Sequence, residues 1–293
     1  MRFMNDISWV PGLRTPFLNS FFDLVTLAGY PTFLILLLTF GYLFFSARSF
    51  FHTAMLLIAT GLLNAFLKDV FQDPRPAAEY MLDPRTGTSY GWPSGHAQIA
   101  VVLWGFLAYE IGQRWAYIAA AVIASLICFS RIYLGVHDIG DVLGGTTIGF
   151  ACLVAYIWGV NNVRLRQLVD NLGHGGLLLA LLLVHIVYIL VYPAHGEHVA
   201  PVWLVGIMMG WVIARQWMEH SEVELPGTLI VRLLIASLGT ASAFGLLIVT
   251  ISVPMLLALE GIPDTVVSYS FGAIFGLATA WFLPRLIQRL PIQ

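Results

Sequence analysis

Apolar stretches close to bilayer-spanning length recur along the whole chain, and they limit it to very few folds. Crossing about 30 Å of hydrocarbon takes roughly 20 mostly apolar residues in one helix. Nine stretches meet that description, at 24–46, 53–71, 95–111, 115–134, 139–161, 175–193, 200–217, 228–252 and 266–284. Hydrophobic residues make up 59% and charged residues 10% of the 293, against about 45–50% and about 25% in soluble domains. Too little polar surface is available to cover such a chain in water. The expected fold class is therefore all-α, a polytopic membrane bundle of about nine helices. A net charge of −2 offers no basic balance for nucleic acid. Segment 5–23, with Asp6, Asn19 and Asp23 among aromatics, reads as an interfacial helix. No cleavable signal peptide is legible, so the first span is expected to serve as its own targeting signal. Cys128 and Cys152 lie in apolar runs and read as small buried hydrophobes.

Two polar loops interrupt the pattern. Residues 72–92 carry Asp73, Arg75, Glu79, Asp83 and Arg85 among prolines, and 219–227 carry Glu219, Glu222 and Glu224. The first is long for a connection between packed helices, a length associated with function. With nine spans, the face opposite loop 72–92 receives Arg48, Arg114, Arg164, Arg166, Arg215, Arg232, Arg285 and Arg289, while the loop's own face receives Arg2, Arg14 and Arg85, besides Lys68, Arg75 and Arg131, which need a separate explanation and are set aside. Positive residues favour the cytoplasm, so loop 72–92 is expected outside, which in a bacterial inner membrane means the periplasm.

Charges at the ends of apolar spans need a reason, because each costs about 2.5–3.5 kcal/mol at the bilayer centre. Three groups stand at one face. Lys68, the sole lysine, closes the second span, with Arg75-Pro76 just beyond. Pro93-Ser94-Gly95-His96 opens the third. Ser130-Arg131 closes the fourth, and His137 and Asp141 open the fifth. His137 and Asp141, four apart, share a helix face. Asp141 can hold the proton of one ring nitrogen and leave the other as a lone pair, a plausible nucleophile. Arg75 and Arg131 offer forks suited to phosphate oxygens, Lys68 a point charge. Ser94 and Gly95 sit at a helix start, a natural anion site. His96 is placed to act as a general acid and then a base.

This constellation resembles the three-part signature of the type 2 phosphatidic acid phosphatase (PAP2) superfamily: Lys68 and Arg75-Pro76, then Pro93-Ser94-Gly95-His96, then Ser130-Arg131, His137 and Asp141. The resemblance implies a helical core over roughly 1–162, a metal-independent phosphatase without cofactor that hydrolyses a lipid phosphate monoester or pyrophosphate, and a phosphohistidine intermediate. It implies that His137 attacks, His96 handles protons, Asp141 orients, and Lys68, Arg75, Ser94, Gly95 and Arg131 hold phosphate. A lipid phosphotransferase would use the same residues. A transporter or flippase would line a pathway with them.

Simpler readings stand beside these. Ser94 also reads as a helix cap, Lys68 and Arg131 as snorkelling anchors, and His137 with Asp141 as a structural hydrogen bond. Asp138 should point away from the site. Asn64, one turn before Lys68, is placed to orient it. His195, Glu197 and His198 form a weak metal-type cluster, and His52, His174, His185 and His220 lack nameable partners. Residues 163–293 read as an extension of about four helices without recognisable chemistry. The partners expected are a lipid phosphate and the bilayer. Which lipid, and which oligomeric state, stay open at this level, although the stretch Ser130 to Gly145, with Tyr133-Leu134-Gly135 before His137, also resembles sphingosine-phosphate phosphatases.

Overall fold

Prolines decide where the N-terminal helices begin. In the computed structural model, which describes residues 6–87, 89–191, 202–217, 225–257 and 262–288, the first helix, α1, is Pro16–Thr26, shorter than the 5–23 expected. Thr15 caps it, its side chain accepting from the Leu18 N–H at 3.2 Å. Pro16 follows in the first turn, where its missing N–H costs nothing. After a tight turn at Leu27–Gly29, Tyr30 is extended (φ −86°, ψ 148°) and Pro31 opens α2, Pro31–Phe44. The expected span 24–46 is therefore broken, and its two pieces are bent by 57°. A proline cannot continue the ladder and disfavours helix in the residue before it.

The next four helices are α3 (Ala47–Phe71), α4 (Gly95–Ile111), α5 (Arg114–Tyr133) and α6 (Ile139–Asn161). Then come α7 (Val163–Val191), α8 (Val202–Trp217), α9 (Leu229–Leu257) and α10 (Ile262–Leu277). A π-helical stretch at Ala278–Phe282 leads into α11 (Leu283–Gln288). Helix α7 breaks at Gly173, whose φ of 59° and ψ of −178° are not helical, and its two parts are bent by 104°. The described residues contain no strand. The chain is an all-helical membrane protein, and among the described residues five helices are long and apolar enough to span, or up to seven if each bent pair is one span. The expected count of nine is not confirmed, because within the described residues α4 and α8 have only 17 and 16 residues. For α4 the bounds are set by extended Ser94 before it and by Gly112 after it, which turns left-handed at φ 68°. The helix lies against both α5 and α6, and Ala97, Ala100, Val102, Leu103 and Phe106 are each at most 1% exposed.

Among the described residues two compact units emerge, one drawn from residues 6–34 and 59–163, the other from 35–58, 164–191, 202–217, 225–257 and 262–288. In the first, α6 approaches α4 through glycines on one face. A Cβ on Gly145 would lie 2.3 Å from the Ser94 carbonyl oxygen, and one on Gly149 2.7 Å from that of Gln98. Small residues at this spacing let helix backbones meet in a membrane. Gln98, fully buried, donates to the Thr60 carbonyl at 3.1 Å and accepts from Asn64 at 2.7 Å. Outward faces remain apolar, with Ile118, Phe150 and Trp158 more than 60% exposed, as lipid contact requires. In the second unit, Gly210 and Gly276 bring α8 and α10 together. There Trp211 donates to Thr279 Oγ1, and Tyr42 to the Ala280 carbonyl, both at 3.0 Å.

Candidate active site

Helix direction alone gathers the signature residues. Lys68 lies in the last turn of α3 and Arg131 in the last turn of α5, while Gly95–His96 and Asp141 lie in the first turns of α4 and α6. Loop 72–92 closes over the same end: Leu82 N–H donates to the Leu134 carbonyl at 2.8 Å, and Gly91 N–H to that of Asp73 at 2.7 Å.

His137 sits between α5 and α6, 2% exposed. Gly135 makes the turn before it at φ +71°, where any Cβ would strike the Tyr80 carbonyl oxygen at 1.9 Å, so both conformation and space demand glycine. His137 Nδ1 lies 2.9 Å from Asp141 Oδ2, and Nε2 lies 3.2 Å from Arg75 Nη1. A guanidinium can only donate. Nε2 therefore carries the lone pair, and Nδ1 carries the proton shared with Asp141. Burial pushes the imidazole well below its ordinary pKa, and the charges of Lys68, Arg75, Arg131 and His96 push the same way. The ring is neutral near pH 7. Asp138 caps α6 and accepts from Asp141 N–H at 2.8 Å, while Asp141 Oδ2 receives Asp138 N–H at 3.3 Å, a capping box. Asp138 is thus structural, as its position on the helix implied. An open cleft lined by Phe71, Asp73, Trp92, Asp138, Gly140 and Asp141 reaches the orienting end of this dyad rather than the lone-pair end.

The two arginines differ in how they are held. Arg75 has every nitrogen engaged: Nε donates to the Ser89 carbonyl (2.6 Å), Nη2 to Ser89 Oγ (2.7 Å), and Nη1 to the Val136 carbonyl (2.7 Å) and His137. Burial and then the neighbouring Arg131 lower its pKa to about 10, which leaves it fully charged at neutral pH. Arg131, 1% exposed, donates Nη1 to Thr26 Oγ1 and to Asp83 Oδ2, the latter at 3.0 Å, while its buried Nε has no partner.

Lys68 does not snorkel. Its ammonium, 9% exposed, donates to the carbonyls of Tyr90 and Gly91, the second at 2.9 Å, and so holds the approach to Pro93. Asn64 turns away from Lys68. It donates to the Pro93 carbonyl at 3.1 Å and to Gln98. Ser94 stands at the N-cap of α4 but makes no side-chain capping bond, and its buried Oγ has no partner. Its N–H donates to the Asp141 carbonyl at 3.0 Å, which ties the second and third signature groups together. Gly95 has Asn64 Oδ1 3.0 Å from where a Cβ would stand. His96 Nε2 is buried without a partner, and its ring meets Tyr30 edge-on at 4.6 Å.

Sequence reasoning missed Tyr30, Thr26 and Asp83, which surround Arg131. Asp83 is fully buried and receives hydrogen bonds from Tyr30 (2.6 Å), Arg85 (2.7 Å) and Arg131. Burial alone would raise its pKa, but these bonds and the charge of Arg131 hold it at about 2. The only hint was the density of charge in loop 72–92. His195, Glu197, His198 and His220 lie outside the described residues, as does the side chain of His174. Among the described residues no cluster of three or more His, Cys, Asp or Glu could hold a metal.

Residues 49–165 match the PAP2 superfamily. Phosphatidylglycerophosphatase B of Bacillus subtilis is 33% identical over 150 residues, 47% of this chain and 72% of that protein. Sphingosine-1-phosphate phosphatase 2 of Homo sapiens is 37% identical over 89 residues, 28% of this chain but only 22% of that one. A crystal structure of a transmembrane PAP2 type phosphatidylglycerolphosphate phosphatase from Bacillus subtilis aligns with a TM-score of 0.45 at 30% identity, covering 52% of this chain and 80% of that one. Since 33% identity extends over 72% of a whole phosphatase, and the matched residues 49–165 include all of the signature, this chain is a membrane-embedded phosphatase belonging to the PAP2 superfamily.

Proposed function

We propose that the chain hydrolyses a lipid phosphate at the membrane surface through a phosphohistidine, without a metal ion. The observation that carries this reading is the placement of His137, with its Nδ1 on Asp141 and its lone-pair nitrogen against Arg75. Nε2 attacks phosphorus as the bond to the lipid oxygen breaks, and His96, which takes up a proton when the negative charge of the bound phosphate lies beside it, gives that proton to the lipid oxygen. His96, now neutral, takes a proton from water as the water oxygen attacks phosphorus. The P–N bond breaks, and phosphate leaves. Lys68, Arg75 and Arg131, with N–H groups at the start of α4, balance charge on the phosphoryl oxygens. The lone pair must be uncovered for attack, so Arg75 exchanges its contact with His137 for one with phosphate when substrate arrives.

A lipid substrate suits a site at one end of the spanning helices, because the phosphate reaches the cluster while the chain stays in hydrocarbon. Relatives named for phosphatidylglycerophosphate, sphingosine 1-phosphate and lipid A support that class. The site faces the outside of the membrane, the periplasm in a bacterium, on the strength of the arginines next to the core helices: Arg114 opens α5 at the end opposite Arg131, and Arg164 and Arg166 follow the far end of α6. The deciding experiment is a phosphate-release panel over lipid phosphates in detergent, with excess chelator and no acceptor lipid. Turnover that depends on added magnesium, or on an acceptor, would overturn the mechanism.

A further inference from the structure

Arg131 is the signature cation whose side-chain hydrogen-bond partners, Thr26 and Asp83, belong to none of the signature groups. A buried guanidinium next to a reacting phosphate must be kept from collapsing onto any nearby carboxylate, yet it also needs a counter-charge to be buried at all. Here one nitrogen meets that need. Nη1 is shared between Thr26 Oγ1 and Asp83 Oδ2, and Nε is left buried and unpartnered. Asp83 is itself over-determined, since Tyr30 donates to Oδ2 at 2.6 Å and Arg85 to Oδ1 at 2.7 Å. The Tyr30 ring lies under both guanidinium groups, 5.8 Å from that of Arg131 and 5.0 Å from that of Arg85, and meets the ring of His96 at 4.6 Å. Gly29 permits this approach: a Cβ there would fall 2.2 Å from His96 Cδ2. Tyr30 stands at the break between α1 and α2, outside the residues 49–165 that match the family.

We propose that Asp83 and Tyr30 are positioning residues that hold Arg131 by Nη1 and so present its Nε edge to the substrate phosphate, with the Tyr30 ring fixing His96 beside it. The proposal rests on the phosphatase reading above. Neither residue touches substrate. Asp83 supplies the counter-charge, and Tyr30 locks the carboxylate through its hydroxyl and the two reactive side chains through its ring. Because Asp83 stays ionised across the working pH range, the clamp is permanent rather than a switch. Arg75 has no such carboxylate: its own partners are two carbonyls, a hydroxyl and the His137 ring nitrogen, contacts it can exchange for phosphate.

Binding of orthovanadate to the purified full-length chain in detergent, measured by calorimetry, tests this without relying on turnover. Asp83→Asn should weaken binding about tenfold and Tyr30→Phe about threefold, since each loosens a charge-assisted, fork-shaped contact. In an Arg131→Lys background, which keeps charge but loses the fork, Asp83→Asn should change affinity less than about twofold. A merely structural role would lower the melting temperature and leave affinity in the folded fraction unchanged. Wild-type affinity in Asp83→Asn, or an equal loss in both backgrounds, overturns the proposal. Should Asp83→Asn not yield monodisperse protein, Tyr30→Phe decides alone, and wild-type affinity there overturns it. A wild-type chain that neither binds vanadate nor releases phosphate would instead sink the phosphatase reading itself.

Discussion

One carboxylate oxygen of Asp141 serves both His137 and the start of α6: Oδ2 accepts from His137 Nδ1 at 2.9 Å and from the Asp138 N–H at 3.3 Å. The backbone bond fixes that oxygen, and the fixed oxygen sets the imidazole tautomer. Asp141→Asn keeps the shape but can place an amide donor against Nδ1, which moves the ring proton to Nε2 and blocks attack. Phosphate release should fall on the order of 10²–10⁴-fold with little change in KM. A variant within a few-fold of wild type would show that tautomer control is not needed.

Asp138 lies next to His137 yet serves the helix. Its side chain accepts the Asp141 N–H at 2.8 Å, and loss of such a cap costs about 0.5–2 kcal/mol. Asp138→Ala should lower the melting temperature in detergent while kcat per folded molecule stays within a few-fold. The contrast with Asp141→Asn separates stability from chemistry at positions three residues apart.

Most of this cluster could be read from residue order. Helices expected at 95–111 and 139–161 occur at those bounds. Alternating helix direction then forces Lys68, His96, Arg131 and Asp141 to one end. What escaped was non-periodic. An apolar window averages across Tyr30-Pro31, although one missing N–H breaks the helix there. Asp83 was one of several loop charges, and nothing local says which becomes fully buried. Arg75 looked like a free fork because sequence cannot show that the carbonyls of Ser89 and Val136 occupy it.

The charge state of His137 gives a pH prediction with a definite sign. Its folded pKa lies well below 6.5, through burial first and then Lys68, Arg75, Arg131 and His96. The neutral, attacking ring thus persists as pH falls, and the acid limb of kcat/KM for the wild type should lie below 6.5. Lys68→Met removes the largest of those charges, so the pKa rises and the limb moves to higher pH. An acid limb that is unmoved or displaced downward would contradict this electrostatic account.

Helix contact between α4 and α6 sets the geometry from a distance. A methyl on Gly145 would stand 2.3 Å from the Ser94 carbonyl oxygen, with backbone on both sides. Gly145→Ala should therefore push the Ser94-Gly95-His96 turn away from Asp141, at a cost of about 1–3 kcal/mol from overpacking. Turnover should drop along with thermal stability, whereas Gly159→Ala, with nothing within 4 Å of its Cβ, should leave both close to wild type.

Ser94 separates its two readings cleanly. A capping serine replaced by alanine costs about 1 kcal/mol, but the Ser94 hydroxyl makes no capping bond and is buried without a partner. Removing an unsatisfied buried hydroxyl is nearly neutral or slightly stabilising. Ser94→Ala should therefore leave the melting temperature of the ligand-free protein unchanged or raise it. The hydroxyl sits at the N-terminus of α4, where phosphate oxygens would gather, so the same variant should bind vanadate about five- to tenfold more weakly. Loss of stability with vanadate affinity intact would return Ser94 to a capping role and remove it from the phosphate site.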